Sequence, residues 1–399
     1  MDRFKHLLAS TSLLTILAVV ADGQSSIPRL SVQEDLRLDA NTEDFSSVVR
    51  FSVGPGGRLA VPQPQDLQVL LYDSTGKRLA AVGRRGSGPG EFRSFTSIGW
   101  VADTLWIHDG AQMRTTFVGP DGSMLRSTVL PETLVRSLSG GTGPDRLLSF
   151  TLAAVYADGA MLGYSRRQAT GQAAQEAFGE RVLVHVSPNG ATRVVSTVPD
   201  EHDDRWFITL EGIGKNLPFA FRPQVAISSD GLRVAHLSVP AQSVTAGTWA
   251  VNVLRNGGDT LFSRSYPFVG VPIQRRILDS AVAAMAPPRG RPLEGPDLTE
   301  RFQASARQRM PRVFAPVQSI VAGLDETVWV TKRDSGRVRE TLVLNAKGDV
   351  IGRLFLTPTS RVVQASASRI WVAESDDDGL VSIVRYRVGG LRCRNTGCT

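Results

Sequence analysis

Cysteine is all but missing from this 399-residue chain: there are two, Cys393 and Cys398, both at the extreme C-terminal end. Nothing resembles a metal-binding Cys-x-x-Cys pair or a catalytic cysteine with its base. Lysine is nearly as scarce. Of 45 basic side chains only five are lysine (Lys5, Lys77, Lys215, Lys332, Lys347). The net charge of +7 is therefore an arginine charge, and such a bias is as easily a matter of genomic composition as of function. No long charge block or low-complexity tract interrupts the chain, which excludes a disordered polyelectrolyte. Neither Gly-x-Ser-x-Gly nor His-Glu-x-x-His occurs, which weakens the case for an enzyme.

Only one long apolar run is present, Leu7 to Val20, after Arg3 and Lys5 and before the small residues Ala21 and Gly23. That order is the pattern of a secretory signal peptide, with cleavage expected after Gly23. The run is shorter than the ~20 apolar residues a spanning helix needs, so no membrane span is expected once it is removed. The expected location is secreted or periplasmic. In an oxidising compartment Cys393 and Cys398 suit a small terminal disulfide loop, the competing account being two free thiols on a frayed tail.

What is abundant is a short pattern used six times, a Gly/Asp turn followed by a narrow strand: Gly57 to Gln63, Asp103 to Asp109, Gly159 to Ser165, Gly231 to Leu237, Glu326 to Lys332 and Ser368 to Glu374. Self-similarity at tens of residues marks a repeat architecture in which no unit buries its apolar face alone. Each copy extends into four short alternating strands. In the first, Val48 to Val53, Leu59 to Val61, Leu67 to Tyr72 and Arg78 to Val82 are separated by turn residues. Further units run from Thr96 to Val129, Ser149 to Val198, Gln224 to Tyr266 and Ser319 to Thr357.

The sixth unit starts near Val362 and has only three strands; Leu30 to Leu38, which alternates at the other terminus, is the expected fourth. Pairing the two ends closes a ring and removes exposed edges. The expectation is an all-β fold, a six-bladed β-propeller of four-stranded antiparallel blades over residues 30–390, with a Cys-bearing tail at 391–399.

The stretch Val82-Gly83-Arg84-Arg85-Gly86-Ser87-Gly88-Pro89-Gly90-Glu91-Phe92, leading to Leu105-Trp106-Ile107-His108-Asp109, resembles the linker between blades of NHL-type six-bladed β-propellers, as found among bacterial exported propeller proteins. The Pro120-Asp121-Gly122 turn and the Val328-Trp329-Val330 strand are similar to other blades of that group. The glycine run also looks like a phosphate loop, but it lacks the Lys-Ser/Thr ending and joins strand to strand. Its glycines suit a tight crossing, with Arg84 or Arg85 pairing with Glu91 to pin the loop.

In such a ring the loops after each second strand and the linkers between blades share one face. The slot after each second strand reads Pro62, His108, Tyr164, His236, Thr331 and Ala373, followed by Gln63, Asp109, Ser165, Leu237, Lys332 and Glu374. His108, Asp109, His236 and Glu374 are the residues able to suggest a metal or acid/base site. The resemblance gives that idea a precedent, because some six-bladed relatives are metal-dependent lactonases or lyases. Polar strand ends held by turn hydrogen bonds are the competing account. Glu374, Asp376, Asp378 and Gly379 begin like a calcium loop, but position twelve is Arg385 instead of Glu, so an acidic hairpin turn is expected. Glu201-His202-Asp203-Asp204 reads as a solvated loop anchored by Trp206 and Phe207.

Helical period enters at one place, residues 267–313, between the fourth and fifth blades. Ile273, Ile277, Ala281 and Met285 recur every four residues before Pro287-Pro288, and Asp297 with Glu300 caps a second stripe, Leu298, Phe302, Ala306 and Met310. Pro272 to Arg312 holds eight arginines against four acids. A second insertion, Arg166 to Glu180, should rise from the same face. Arg275, Arg276, Arg289, Arg291, Arg301, Arg307 and Arg309 suggest an anionic ligand or protein partner; a solvated helix exterior explains them equally well.

The functional expectation is an exported, monomeric binding or scaffold propeller that holds a partner or anionic ligand on its funnel face, through the candidate set His108, Asp109, His236, Glu374, Arg275, Arg276 and Arg301, with no cofactor. The alternative is a metal-assisted lactonase- or lyase-type enzyme at the funnel mouth, which would need a divalent ion, Ca or Zn. Nucleic acid is not an expected partner, because the basic segment has no interleaved aromatics.

Overall fold

The computed structural model describes residues 27–46, 48, 50–132, 134–135, 147–167, 180–200, 203, 205–240, 244–285, 297–333, 338–391, 393–394 and 397–398. The expected signal segment lies outside them, as do Arg289, Arg291, most of the Arg166 to Glu180 insertion, and Glu201, His202 and Asp204.

Period-two alternation between Gly, Asp and Asn turns becomes six four-stranded antiparallel sheets. Blade 1 is Ser52–Val53, Leu59–Gln63, Gln68–Tyr72 and Arg78–Val82. Blade 2 is Phe95–Val101, Thr104–Asp109, Arg114–Val118 and Met124–Val129. Blade 3 is Thr151–Val155, Met161–Arg167, Glu180–Val186 and Thr192–Thr197. Blade 4 is Gln224–Ile227, Arg233–Ser238, Ala246–Arg255 and Thr260–Val269. Blade 5 is Val317–Ala322, Val328–Lys332, Arg339–Leu344 and Val350–Leu356.

Blade 6 takes Ser360–Ala365, Arg369–Ser375 and Val381–Gly389 from the C-terminal end, and its fourth strand is Ser31–Leu38. That strand pairs antiparallel with Val381–Gly389 from Ser31 opposite Gly389 to Leu38 opposite Ile383, with a bulge at Asp35. The ring thus closes as the N-terminal alternation implies.

First strands face one another around the axis and are tied across blades. Trp100 Nε1 donates to Ser52 O at 3.4 Å, Gln224 Nε2 to Gln318 O at 2.9 Å, and Leu324 N to Ala365 O at 3.0 Å. The apolar core is not central. It is divided among the six seams, each filled by the facing sides of two neighbouring blades. Second-strand tryptophans Trp106, Trp329 and Trp371 occupy the same slot in three of these seams, all at most 4% exposed. Burial of such rings, ~150–250 Å² each, is what couples blades that share few backbone bonds.

The glycine run between blades 1 and 2 behaves as a structural crossing. Glu91 accepts from the N–H groups of Ser87 (2.9 Å) and Gly88 (2.8 Å) and from Arg84 Nε (3.0 Å). Those bonds, Gly88 first, hold its carboxyl below the usual carboxylate range. Gly83 has φ +103°, and a Cβ there would lie 2.7 Å from Leu67 O and 2.8 Å from the Phe92 ring. Gly83→Ala should therefore cost on the order of 1–3 kcal/mol, read as a lower urea midpoint; an unchanged midpoint would show that the linker relaxes freely.

Two helices, Arg275–Ala283 and Asp297–Arg309, occupy the linker between blades 4 and 5. The second buries Leu298, Phe302 and Ala306 as the stripe implies. The first turns Val282 inward more than Ala281, a rotation of one position. Their partner was not anticipated. After the expected Glu201 to Asp204 loop, most of which lies outside the described residues, the linker between blades 3 and 4 folds into a hairpin, Phe207–Leu210 with Ile213–Asn216. Ile208, Ile213 and Leu217 from this linker pack with Val282, Met285, Leu298, Phe302 and Ala306 in a separate small core.

The pair Cys393–Arg394 and Gly397–Cys398 forms a two-stranded ladder with the cysteines opposite one another. That backbone register is all that bears on the expected disulfide, for which the structure gives no further support; the cysteine side chains lie outside the described ones.

Candidate functional site

Antiparallel alternation sends the linkers and the second-to-third-strand loops to one face of the ring and the first-to-second turns to the other. His108 and Asp109 end the second strand of blade 2, His236 that of blade 4 and Glu374 that of blade 6. These residues do not converge, and each is held within or beside its own blade.

His108 is fully buried, with Nδ1 3.0 Å from Thr115 Oγ1 on the neighbouring strand and Nε2 without a partner among the described residues. Burial pushes its pKa down to about 4 against a small opposing pull from Asp109. Asp109 accepts from Arg93 N (2.6 Å), Ala111 N (3.0 Å), Gln112 N (3.1 Å) and Gln112 Nε2 (2.7 Å). Burial raises its pKa, yet these donors prevail and the net shift is downward. It fastens a turn. His236 sits with Nε2 3.1 Å from Ser196 Oγ of blade 3. Glu374 accepts from Ser360 Oγ (3.0 Å), Tyr386 OH (2.7 Å) and Arg37 Nη2 (3.0 Å).

Among the described residues no group of three or more His, Cys, Asp or Glu is arranged to hold a metal ion. The stretch from Asp376 is an acidic hairpin turn, with Asp376 Oδ1 accepting from Asp378 N (3.0 Å) and Leu380 N (2.8 Å).

The insertion arginines also diverge. Arg275 is almost wholly exposed, 3.8 Å from Asp279. Arg276 is exposed and bonds Gln274 Oε1 at 2.9 Å. Arg301 pairs with Glu211 at the hairpin turn. They decorate the outside of the inserted unit.

What the inserted unit creates is a cleft beneath it, of about 810 Å³. One side is the linker between blades 3 and 4 (Trp206, Phe221, Pro223), the floor is the second-to-third loop of blade 4 (Val239, Pro240, Thr245), and the other side is the exit of the second helix, Gln308 to Val313. Trp206, Phe221, Pro311 and Val313 are buried and give apolar walls. Three guanidiniums line it. Arg205 pairs with Asp203 at 2.7 Å and lies over the Trp206 ring, and Arg309 donates to Phe207 O at 2.8 Å. Arg312 is exposed and carries no carboxylate partner among the described residues. The alternation Phe207-Ile208-Thr209-Leu210 around Glu211-Gly212 was the available signal for the hairpin wall; nothing local signalled the cleft.

The opposite face offers a recess of about 410 Å³ lined by the first-to-second turns. There Gln364, 7% exposed, exchanges bonds with Val53 N (3.0 Å) and Val53 O (3.1 Å) and reaches Ser229 Oγ at 3.4 Å. One side chain thereby joins blades 6, 1 and 4 across the axis.

The ring defines a six-bladed β-propeller. No family model and no curated protein matches the chain. Solved structures do resemble it. A member of the DUF4221 family from Bacteroides vulgatus is 9% identical with a TM-score of 0.49, covering 91% of this chain and 99% of that one. Virginiamycin B lyase from Staphylococcus aureus, in a catalytically inactive form with quinupristin, is 10% identical with a TM-score of 0.34, covering 90% and 99%. Regucalcin, a calcium-binding protein from Agrobacterium tumefaciens, is 11% identical with a TM-score of 0.36, covering 85% and 90%. These are likenesses of overall shape, and no residue role passes from them to this chain. No described helix is long and apolar enough to cross a membrane.

Proposed function

We propose that this chain is an exported, NHL-like propeller that binds a ligand with an apolar body and an anionic group in the cleft between its hairpin, its inserted helices and blade 4. Export rests on the character of residues 1–23. The single observation that carries the binding reading is the cleft: apolar walls with the guanidiniums of Arg309 and Arg312 at its edge. Apolar concavities with a few fixed polar groups are the usual form of small-molecule sites, and guanidiniums select carboxylate or sulfonate groups by their paired donors.

The probe is anilinonaphthalene sulfonate, whose ring system and sulfonate match the two parts of the cleft and whose emission rises on transfer from water. Saturable binding at one site is expected, with energy transfer from Trp206. Arg309→Gln with Arg312→Gln should weaken it about tenfold, the loss of one to two charge-assisted bonds. Unchanged affinity in that double variant would place the probe elsewhere and remove the reading.

A further inference from the structure

The third strand of blade 4 outruns its inner neighbour. Ala246–Arg255 pairs with the fourth strand as far as Ala246 opposite Val269, but its ladder with the second strand stops at Ser238 opposite Ala250. In blades 1, 2 and 6 the same two strands end together, at Gln63 opposite Gln68, Asp109 opposite Arg114 and Ser375 opposite Val381. Two hydrogen bonds fix which way the overhang points. Gly270 N donates to Thr245 O at 2.6 Å, and Asn256 N donates to Leu232 O at 2.9 Å. By antiparallel alternation the backbone groups of Thr245, Gly247 and Trp249 then face the fourth strand, and those of Ala246, Thr248 and Ala250 face the second. Ala250 is opposite Ser238. Continued outward, that register would set Thr248 against Pro240, which has no N–H to give. Among the described residues the N–H and C=O of Ala246 and Thr248 meet no partner on that side, and both residues are exposed. Strand edges are normally covered, bulged or charged; Ala246-Gly247-Thr248 carries no charge.

This edge opens at the cleft. Pro240 and Thr245, which flank it, line that space together with Arg309 and Arg312. The linker that leaves the second helix runs beside the same sheet, just past the residue opposite Ala246. There Ile273 N donates to Arg312 O and Phe314 N to Val271 O, both at 2.9 Å, around an antiparallel bridge between Pro272 and Val313. A row of backbone donors and acceptors, apolar walls and a guanidinium thus border one space.

We propose that the cleft takes an extended peptide ending in a free carboxylate. Its backbone adds to blade 4 along Ala246 and Thr248, an apolar side chain enters between Trp206, Phe221 and Val313, and the terminal carboxylate pairs with Arg312. Strand addition draws affinity from main-chain bonds and selectivity from pockets for alternate side chains. A compact aromatic acid would use the walls and the guanidinium alone, whereas an amide backbone also matches the alternating groups of the edge. The inference rests on the ligand-binding reading of the cleft and narrows its ligand to one class.

The test is calorimetric titration of the purified protein with acetyl-Val-Leu-Val-Phe as the free acid, as its C-terminal amide and in a form N-methylated throughout, beside anilinonaphthalene sulfonate. One saturable site is expected for the free acid, weakened about tenfold by amidation and about tenfold or more by N-methylation, which removes the donors. Thr248→Pro deletes one N–H of the edge and spares the fourth-strand ladder, because Thr248 stands opposite Pro267 in a pair without hydrogen bonds; it should weaken the free acid about tenfold. If that variant does not fold, the N-methylated peptide carries the same test. Dye binding with no peptide binding, or peptide binding that N-methylation leaves intact, overturns strand addition and leaves the cleft reading standing. Equal affinity for acid and amide overturns the carboxylate contact at Arg312, and failure of both dye and peptide to bind overturns the cleft reading as well.

Discussion

Replacing Arg385 by methionine should destabilise the protein by about 3–5 kcal/mol, the cost of removing one member of a buried ion pair. Its side chain and that of Asp35 are each only 10% exposed, with Nε 2.6 Å from Asp35 Oδ1. Nη1 donates to Ser74 O at 2.8 Å, and the guanidinium lies 5.2 Å from the Trp371 ring centroid. One side chain therefore joins the N-terminal strand at its bulge, the third strand of blade 6 and a turn of blade 1. Methionine keeps the volume beside Trp371 but leaves Asp35, among the described residues, with the longer contact to Arg387 at 3.4 Å. Urea unfolding reads the loss as a shifted midpoint. Asp35→Leu combined with Arg385→Met should recover most of it, because the stranded charge is gone. A single variant within about 1 kcal/mol of the parent, the value of an exposed pair, would show that ring closure does not rest on this contact. The same arginine stands where a calcium loop would need its bidentate Glu, so that position serves the closure of the ring.

Acidification gives the second large effect. His108 is neutral in the folded ring, with its pKa at about 4, against ~6.5 in the unfolded chain. Between those values the unfolded chain binds the proton and the folded one does not, so stability rises with pH across the window. The contribution is whole above pH ~6.5 and is lost as the pH falls towards 4, by about 3 kcal/mol for the 2.5-unit difference. Burial lowers His236 and His185 as well, which adds to the same slope. His108→Gln, which can still bond Thr115, should flatten the dependence by His108's share. Equal slopes in parent and variant would mean that the imidazole becomes protonated without unfolding.

The blades were legible because they depend on local rules. Alternation over five or six residues, a Gly or Asp turn and a Trp in one slot specify a strand and its buried side, and six copies specify a ring. Leu30 to Leu38 was recognised as the missing strand because its period matched a vacancy at the other terminus. The amphipathic stripe Leu298, Phe302, Ala306 was equally plain. The hairpin Phe207–Leu210 with Ile213–Asn216 was harder to recognise. It is short and needs the inserted helices to cover Ile208 and Ile213, so its own stretch carries no strong strand signal.

The candidate site was legible only in its face and its charge. His108, Asp109, His236 and Glu374 drew notice through residue type, but Thr115, the Gln112 turn, Ser196 and Tyr386 decide their state, and those partners depend on side-chain packing. Arg275, Arg276 and Arg301 were conspicuous by density along the chain. Among the described arginines of the same segment, Arg309 and Arg312 are the ones that border the cleft, because the exit of the second helix turns back over blade 4.

By itself, then, the sequence determined a six-bladed ring closed by its two ends, with an arginine-bearing helical insertion on the linker face. The tertiary structure alone decided that Trp206, Val239 and Pro311 wall one cleft. Strand period and turn chemistry act over a few residues and survive in any single copy of the repeat. The meeting of linkers from different blades depends on how the whole ring closes and how the inserted units pack upon it, and no short-range pattern records that.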